Sequence, residues 1–327
     1  MRYQVFQSVL SALGVSLNAL LIFLAIKKTP VSMRPCSIII GIKSTTDVAV
    51  ALTNYFVTER LISTGDMILI VSEGRCSDFT KLTCFSGHML LTSFMQQNLI
   101  WLIVSYIFRY YIIHYRNPSL KTFVVTTIVC YTPSLLHSLI WINTFFEFSQ
   151  DEVAPRILSK PDDMVLSGWV VRQSTEVVLG ILTASSTMVF VFYLWIIHNL
   201  TKFLKENTSR LSRSAVILNK QLVKTAHFQS SIPINILLGV AAFLTMHFSI
   251  LDPINVQFLP STFFVLTTIV SPISYILFLP PYWNFCFGEP KRQAVRRLKA
   301  RLRMNATVTN GIIDISISTR SSPMSIF

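Results

Sequence analysis

Two oppositely charged side chains lie four positions apart within an apolar stretch of this chain. Lys43 and Asp47 have that spacing, which places them on one face of a helix. Ionisable groups surrounded by apolar residues are costly and usually paired, so they mark candidate sites. Asn18, in the preceding apolar stretch, is expected to reach Asp47 with a hydrogen bond. Two interpretations stay open: a polar switch that could hold a cation, or a neutralised pair that locks two helices together, which the proximity of Lys43 favours.

A third apolar stretch carries a mixed stripe of side chains on one predicted helix face. With about 100° of rotation per residue, these residues share that face: Cys84, His88, Leu91, Met95, Asn98, Leu102, Ser105 and Arg109. Such a stripe usually packs in a core. Its first half, however, combines an imidazole, flexible apolar groups and an amide, which suits a cavity for a small molecule between helices. His88, Leu91, Met95 and Asn98 are therefore predicted ligand contacts.

The elements that position these residues are seven apolar stretches. They cover approximately residues 5–26, 36–57, 84–107, 123–145, 177–199, 228–250 and 260–285. Each stretch has the roughly 20 residues that an α-helix needs to cross about 30 Å of hydrocarbon. The composition, 52% hydrophobic and 13% charged, agrees with a membrane protein. The predicted fold is an all-α bundle of seven transmembrane helices, an arrangement more typical of a signalling receptor than of an enzyme.

Prolines inside three of these stretches predict irregular helices. Pro133, Pro233 and Pro272 each remove one backbone hydrogen bond and favour a kink. The kinks in the sixth and seventh helices gain importance if the inner ends of those helices move.

Positive charge is distributed unevenly between the two faces of the predicted bundle. Twenty of the 28 Lys and Arg residues lie in the first, third and fifth loops and the C-terminal tail, and seven lie on the opposite face. Lys and Arg near membrane spans are retained in the cytoplasm. The N-terminus is therefore predicted outside the cell, as part of a retained signal anchor, and the C-terminus inside.

The same charge distribution indicates the partners. Because the basic residues are divided among loops between spans, anionic lipid of the inner leaflet and a cytosolic protein explain them better than nucleic acid does. No metal-ligand, nucleophile or phosphate-loop pattern is present, so we expect no cofactor, no metal and no enzymatic activity. The sequence carries no signal for an oligomeric state.

Two cysteines fall on the outer, oxidising side. Cys76 and Cys84 are the only such pair, so a disulfide between them is expected.

The C-terminal part is predicted to lie outside the bundle. We expect a receptor domain over residues 1–285, a short amphipathic helix on the inner leaflet over 286–304, and a disordered polar tail over 305–327. The helix would turn Val295, Leu298 and Leu302 towards lipid and surround them with basic residues.

Several of these residues resemble elements of rhodopsin-like G-protein-coupled receptors. Arg109-Tyr110 resembles the Asp-Arg-Tyr element at the inner end of the third helix, and the segment from Ser271 through Pro272 to Tyr275 resembles the Asn-Pro-x-x-Tyr element of the seventh. The resemblance implies that Arg109, Tyr110, Pro272 and Tyr275 act in switching and G-protein coupling. Phe108 and Ser271 replace an acid and an amide of the family pattern. The seventh span has no Lys, which excludes a retinal Schiff base.

Short segments in order along the chain resemble a second, narrower family, the class d (Srd) nematode serpentine chemoreceptors of the Str superfamily. These segments are Lys28-Thr29-Pro30 through Met33-Arg34-Pro35, Thr46-Asp47, Arg60 with Gly74-Arg75-Cys76, Phe108-Arg109-Tyr110-Tyr111, Gln221-Leu222, Gln229 with Ile232-Pro233, Pro272-Ile273-Ser274-Tyr275 and Pro281-Tyr282. The resemblance implies a chemosensory receptor at the plasma membrane, in sensory cilia, that binds a small molecule and signals to a heterotrimeric G protein.

Other classes of membrane protein remain alternatives. A ligand-gated channel of seven spans and inverted topology, like the insect odorant receptors, is opposed by the charge asymmetry. A transporter would show an internal repeat and Gly-rich broken spans, which this sequence lacks.

Overall fold

A computed structural model describes residues 2–30, 33–63, 67–114, 120–147, 164–170, 213–248, 250 and 256–288, with parts of the segment 187–206. The helices are α1 (Arg2–Lys27), α2 (Arg34–Val57), α3 (Lys81–His114), α4 (Leu120–Glu147), α5 (Phe190–Asn199), α6 (Arg213–Gln229), α7 (Ser231–His247), α8 (Leu259–Phe278) and α9 (Pro280–Phe287). The strands are β1 (Glu59–Ser63), β2 (Met67–Ser72) and β3 (Met164–Val170), and a 3-10 turn, Arg75–Asp78, precedes α3.

Each of the seven predicted membrane spans coincides, in whole or in part, with a helix of the described residues. Within the described residues, five helices are long and apolar enough to cross a bilayer, and two shorter apolar segments, Val124–Leu136 in α4 and Phe190–Asn199, fall in the fourth and fifth predicted spans. Large apolar side chains also lie on the outer surface, as for Val125, Ile128 and Leu135, which are 59%, 64% and 65% exposed. Such a surface suits lipid rather than water.

The sixth span differs from its predicted bounds. It consists of two helices, because α6 ends at Gln229 and α7 begins at Ser231. Pro233 lacks the N–H that would bond to the carbonyl of Gln229 four residues earlier, so the regular ladder stops there. The helix also begins at Arg213, well before the predicted start at 228, since the mostly polar first part of α6 does not register as an apolar stretch.

The predicted end of the seventh span, at 285, is wrong. Helix α8 ends at Phe278, and Leu279 is extended, with φ −93° and ψ 111°. A residue before proline avoids the helical region, and Pro280 therefore separates α8 from α9. Burial raises the pKa of Tyr282 in α9 to about 12. Its hydroxyl stays protonated and forms a 2.7 Å hydrogen bond with the Thr29 hydroxyl after α1.

A three-stranded antiparallel sheet, absent from the sequence predictions, lies between the outer ends of the helices. Its order is β1-β2-β3, with Glu59 opposite Ser72 and Met67 opposite Val170. The amide of Leu61 in β1 donates to the carbonyl of Gln257, just before α8, at 3.2 Å. The sheet is thereby attached to the seventh span as well as to the second and third.

The residues that follow Tyr282 belong to a second compact unit. Within it, the rings of Trp283 and Phe287 pack with centroids 4.4 Å apart. The predicted amphipathic helix and the polar tail lie beyond the described residues, apart from the first positions of the helix segment, which continue α9.

Candidate functional site

Buried polar side chains form three groups at different depths in the bundle, and four of the predicted site residues, Lys43, Asp47, His88 and Asn98, belong to two of these groups. We name them the midplane cluster (Lys43, Asp47 and Asn98), the outer cluster (Tyr3, Glu59, His88 and Ser261) and the inner cluster (Tyr106, Gln229 and Ser274). Each group joins at least two helices. A change in helix packing would therefore alter the contacts within each group.

The midplane cluster is a closed set of hydrogen bonds between α2 and α3. The Lys43 ammonium donates to the Asp47 carboxylate at 2.8 Å and to the Asn98 side-chain oxygen at 2.7 Å. The Asn98 amide in turn donates to the second carboxylate oxygen of Asp47. Lys43 and Asp47 are 1% and 0% exposed, so they neutralise each other away from water, as such a site requires. Asn98, predicted as a ligand contact, is placed here instead of beside His88.

Asn18 does not form the hydrogen bond to Asp47 that the sequence analysis expected. Its amide donates to the carbonyls of Gly14, at 2.9 Å, and of Thr268 in α8, at 2.8 Å. The Thr268 carbonyl is four residues before Pro272 and so loses its helical partner. Asn18 supplies the missing donor. Gly14 permits this approach, because a β-carbon there would lie 2.8 Å from the Thr268 hydroxyl oxygen.

The outer cluster is centred on Glu59. The His88 imidazole Nδ1 pairs with the carboxylate of Glu59 at the start of β1, and His88 is 2% exposed. Thr58, which has a φ of 42°, ends α2 in the left-handed region and turns the chain into β1. The Glu59 carbonyl meanwhile accepts hydrogen bonds from Tyr3 at 3.4 Å and Ser261 at 3.2 Å. Helices α1, α3 and α8 therefore meet around one short segment.

Two further features hold the outer end in place. Cys76 and Cys84 form a disulfide, with α-carbons 5.0 Å apart, between the 3-10 turn and the first turns of α3. Arg60 and Glu73 form an ion pair across the hairpin at 3.2 Å, with side chains 8% and 13% exposed. The start of α3, which carries His88, is thereby fixed to the sheet.

The remaining predicted ligand contacts lie below His88 on α3. Leu91 is 2% exposed, and Met95 is half-buried. Both are on the same face of α3 as His88 above and Asn98 below. Ligand contact at these positions stays a prediction.

The inner cluster connects the third, sixth and seventh spans. The Tyr106 hydroxyl donates to the Gln229 side-chain oxygen at 3.1 Å, and the Gln229 amide donates to the Ser274 hydroxyl at 2.9 Å. All three side chains are buried. Gln229 is the last residue of α6, immediately before the break at Ser230. A single amide thus ties the hinge of the sixth span to two neighbours.

Tyr275 and Pro272 lie beside the inner cluster in α8. The Tyr275 hydroxyl is 3.5 Å from the Ser105 hydroxyl on α3, and Pro272 is buried. At this level a gap of about 10 Å³ lies between α2, α3, α6 and α8. Phe108 and Tyr275 are among the residues that line it. The backbone of Arg109 and Tyr110 continues α3, but their side chains lie outside the described part of the chain.

Sequence reasoning missed Glu59 and Gln229. Glu59 lies directly after the second predicted span, and this position, level with His88 at the outer end of the third, was the available signal. Gln229 was noted only as part of a resemblance. Its position four residues before Pro233 was the available signal, since that is where a proline frees a carbonyl and a helix can bend.

The chain resembles known proteins over almost its whole length. Residues 3–288 match the profile of the family described as "Serpentine type 7TM GPCR chemoreceptor Srd". The chain is 37% identical to serpentine receptor class delta-30 of Caenorhabditis elegans over 99% of each chain. It is 38% identical to serpentine receptor class delta-28 of the same organism, over 89% of this chain and 91% of that protein.

Among solved structures, the chain is similar to squid rhodopsin. The TM-score is 0.58 at 15% sequence identity, and the match covers 86% of this chain and 83% of that one. The similarity establishes the fold alone: a bundle of seven transmembrane helices.

Proposed function

Because the chain belongs to the Srd family of serpentine seven-transmembrane chemoreceptors, we propose that it detects a small-molecule cue at the cell surface and signals to a heterotrimeric G protein. The match to the family across residues 3–288 carries this proposal. The chain is a multi-pass membrane receptor. The plasma membrane, in the cilia of sensory neurons, is its proposed location.

The proposed ligand site is the outer half of the bundle beneath the sheet. His88, Leu91 and Met95 provide an imidazole and two apolar side chains from one face of α3. Asn98, one turn further in, links this face to Lys43 and Asp47. A ligand that displaces α3 would therefore act on the midplane cluster without touching it.

The proposed switch is the hinge of the sixth span. A ligand shifts a receptor between two states only if it binds one of them more tightly. In the arrangement described here, Gln229 holds the hinge closed against Tyr106 and Ser274. A state in which these hydrogen bonds are absent would let α6 move away from α3 and α8 at the cytoplasmic side.

The proposed G-protein surface lies at the inner ends of α3 and α6. Arg109 and Tyr110 are close to the end of α3, and Lys220 and Lys224 are exposed on α6. Together with the other basic residues of 201–224, they would contact a cytosolic protein. The asymmetric charge of the chain supports this assignment.

The test is G-protein activation in cells that express the receptor, with a screen of volatile and water-soluble compounds providing the agonist. We expect Arg109→Ala to abolish the evoked response at an unchanged surface level. Arg75→Ala is the matched control, because Arg75 is 72% exposed on the opposite face and should leave the response intact. A full response from Arg109→Ala would show that this position does not couple to the G protein.

A further inference from the structure

A cavity of about 150 Å³ lies between the inner ends of α2, α3 and α4. Its walls are mainly apolar and aromatic: Ile39, Trp101, Val104, Ile107, Phe108 and Tyr111. Thr122 and Thr126 of α4 complete it. None of the three polar clusters contributes a residue, so the cavity is separate from the proposed ligand site and switch.

The cavity opens sideways, on the perimeter of the bundle. Ile39 and Trp101 at its floor are 3% and 1% exposed, whereas Ile107 and Tyr111 at its rim are 48% and 39% exposed. The perimeter of a transmembrane bundle faces lipid. The opening is therefore accessible to lipid tails and to other molecules dissolved in the bilayer.

The wall at the floor of the cavity is held rigidly. The Gln97 amide nitrogen donates to the Ser134 hydroxyl of α4 at 2.7 Å, and the Gln97 side-chain oxygen accepts from the Trp101 indole N–H at 2.9 Å. The Trp101 ring also meets Tyr131 edge-on, with centroids 6.3 Å apart. The hydrogen bond to Gln97 and the contact with the Tyr131 ring both hold the indole. The cavity therefore does not close by a simple rotation of Trp101.

The size and depth of the cavity suit one segment of a hydrocarbon chain. An apolar cavity of roughly 150 Å³ stays dry and accepts a molecule such as benzene. From Trp101 to Tyr111 the cavity follows α3 for about 15 Å, at about 1.5 Å per residue, which is about half of the hydrocarbon thickness. Because the third predicted span ends at residue 107, the cavity reaches from within the inner leaflet to its headgroup region.

The charge at the rim indicates the lipid headgroup. Lys121 is exposed and directly precedes Thr122 at the start of α4. None of the residues that line the cavity is acidic. With the orientation proposed above, this end faces the inner leaflet, whose anionic lipids attract Lys and Arg.

We propose that this cavity is a binding site for an anionic phospholipid of the inner leaflet. A segment of one acyl chain occupies the space along Val104, Phe108 and Thr126, and the headgroup lies beside Lys121. The bound lipid joins α4 to α2 and α3 at the end of the bundle closest to the cytosol. The proposal takes from the proposed function only the orientation of the chain, with the C-terminus in the cytosol.

Photo-crosslinking on the purified full chain tests the proposal. The probe is phosphatidylserine with a diazirine on one acyl chain, in nanodiscs of phosphatidylcholine, and labelled peptides are read by mass spectrometry. We expect labels on the inner parts of α3 and α4, and less labelling with the matching phosphatidylcholine probe. Thr126→Trp should lower labelling about tenfold, the loss equivalent to about two buried methylene groups.

Val125→Trp is the matched control, because Val125 is the neighbouring residue and is 59% exposed to lipid. It should leave labelling unchanged, and Val104→Phe provides a second means of filling the cavity. Thermal unfolding shows which variants are folded.

Equal labelling of Thr126→Trp, Val104→Phe and Val125→Trp would refute the acyl-chain site. Equal labelling by the two probes, or no effect of Lys121→Gln, would refute the anionic headgroup. None of these crosslinking and unfolding measurements depends on G-protein signalling.

Discussion

At the scale of single residues, the charges of the midplane cluster are satisfied by their neighbours. The Asp47 carboxylate contacts both the Lys43 ammonium and the Asn98 amide. Of the two interpretations that the sequence left open, this geometry supports the pair that locks α2 to α3. A signalling role for the same pair stays a proposal that mutation can separate from stability.

Removing one partner of the midplane pair should cost more than removing both. We expect Lys43→Met to destabilise the receptor by about 3–5 kcal/mol, because Asp47 is left buried and uncompensated. The double variant Lys43→Met/Asp47→Leu should recover most of that loss. Thermal unfolding of the purified receptor in nanodiscs measures both. If the double variant is as unstable as the single one, the two residues do not act as a mutually neutralising pair.

Asn18 and Pro272 should be energetically coupled. Asn18→Leu leaves the Thr268 carbonyl without a donor, which costs about 1–3 kcal/mol. In a Pro272→Ala background, residue 272 regains an N–H that can bond to this carbonyl, and the same Asn18→Leu change should cost less. Four thermal unfolding measurements complete the double-mutant cycle. Additive effects would contradict the role that we assign to the Asn18 amide.

At the scale of elements, the apolar pattern predicted the helices but not the points where they break or join. The spans at 5–26 and 36–57 correspond to α1 and α2 because their apolar runs end where the helices end. The early start of α6 was hidden because its polar residues carry no membrane signal. The sheet was hidden because β1 and β2 are short and β3 lies almost a hundred positions further along, so nothing local indicates the pairing of β2 with β3.

The candidate site shows the same division between local and distant information. The spacing of Lys43 and Asp47 was sufficient to predict their ion pair, because both lie on one helix. His88 finds its partner on β1, and Asn18 and Gln229 find theirs on other helices. Single-sequence periodicity does not indicate which elements touch. Asn98 was assigned to the ligand site for this reason, since its link to α2 becomes visible only once α2 and α3 are packed.

The hinge of the sixth span should be released by changing one side chain. Gln229→Leu removes two hydrogen bonds, worth about 1–2 kcal/mol together, which corresponds to a shift of about five- to thirtyfold between two states. We expect higher basal nucleotide exchange on the G protein in membranes that contain this variant. Gln221→Leu, two turns earlier on α6, is the control and should leave the basal rate unchanged. An unaltered rate for Gln229→Leu would mean that the inner cluster does not restrain the active state.

At the scale of the whole molecule, function depends on which ends of the helices face the cytosol. The positive charge of the chain is concentrated on one face, and the proposed coupling residues and the lipid cavity lie on that face. The sheet, the disulfide and the outer cluster lie at the opposite ends of the same helices. A reversed orientation would place Arg109 outside the cell and would favour the alternative of an inverted seven-span channel.

Epitope tags on the two ends of the full chain test this orientation without knowledge of the ligand. With antibodies applied to intact cells, we predict staining of a tag before Met1 and none of a tag after Phe327, which should stain only after permeabilisation. The opposite pattern would contradict the account, because the surface proposed to contact the G protein would then face the extracellular medium.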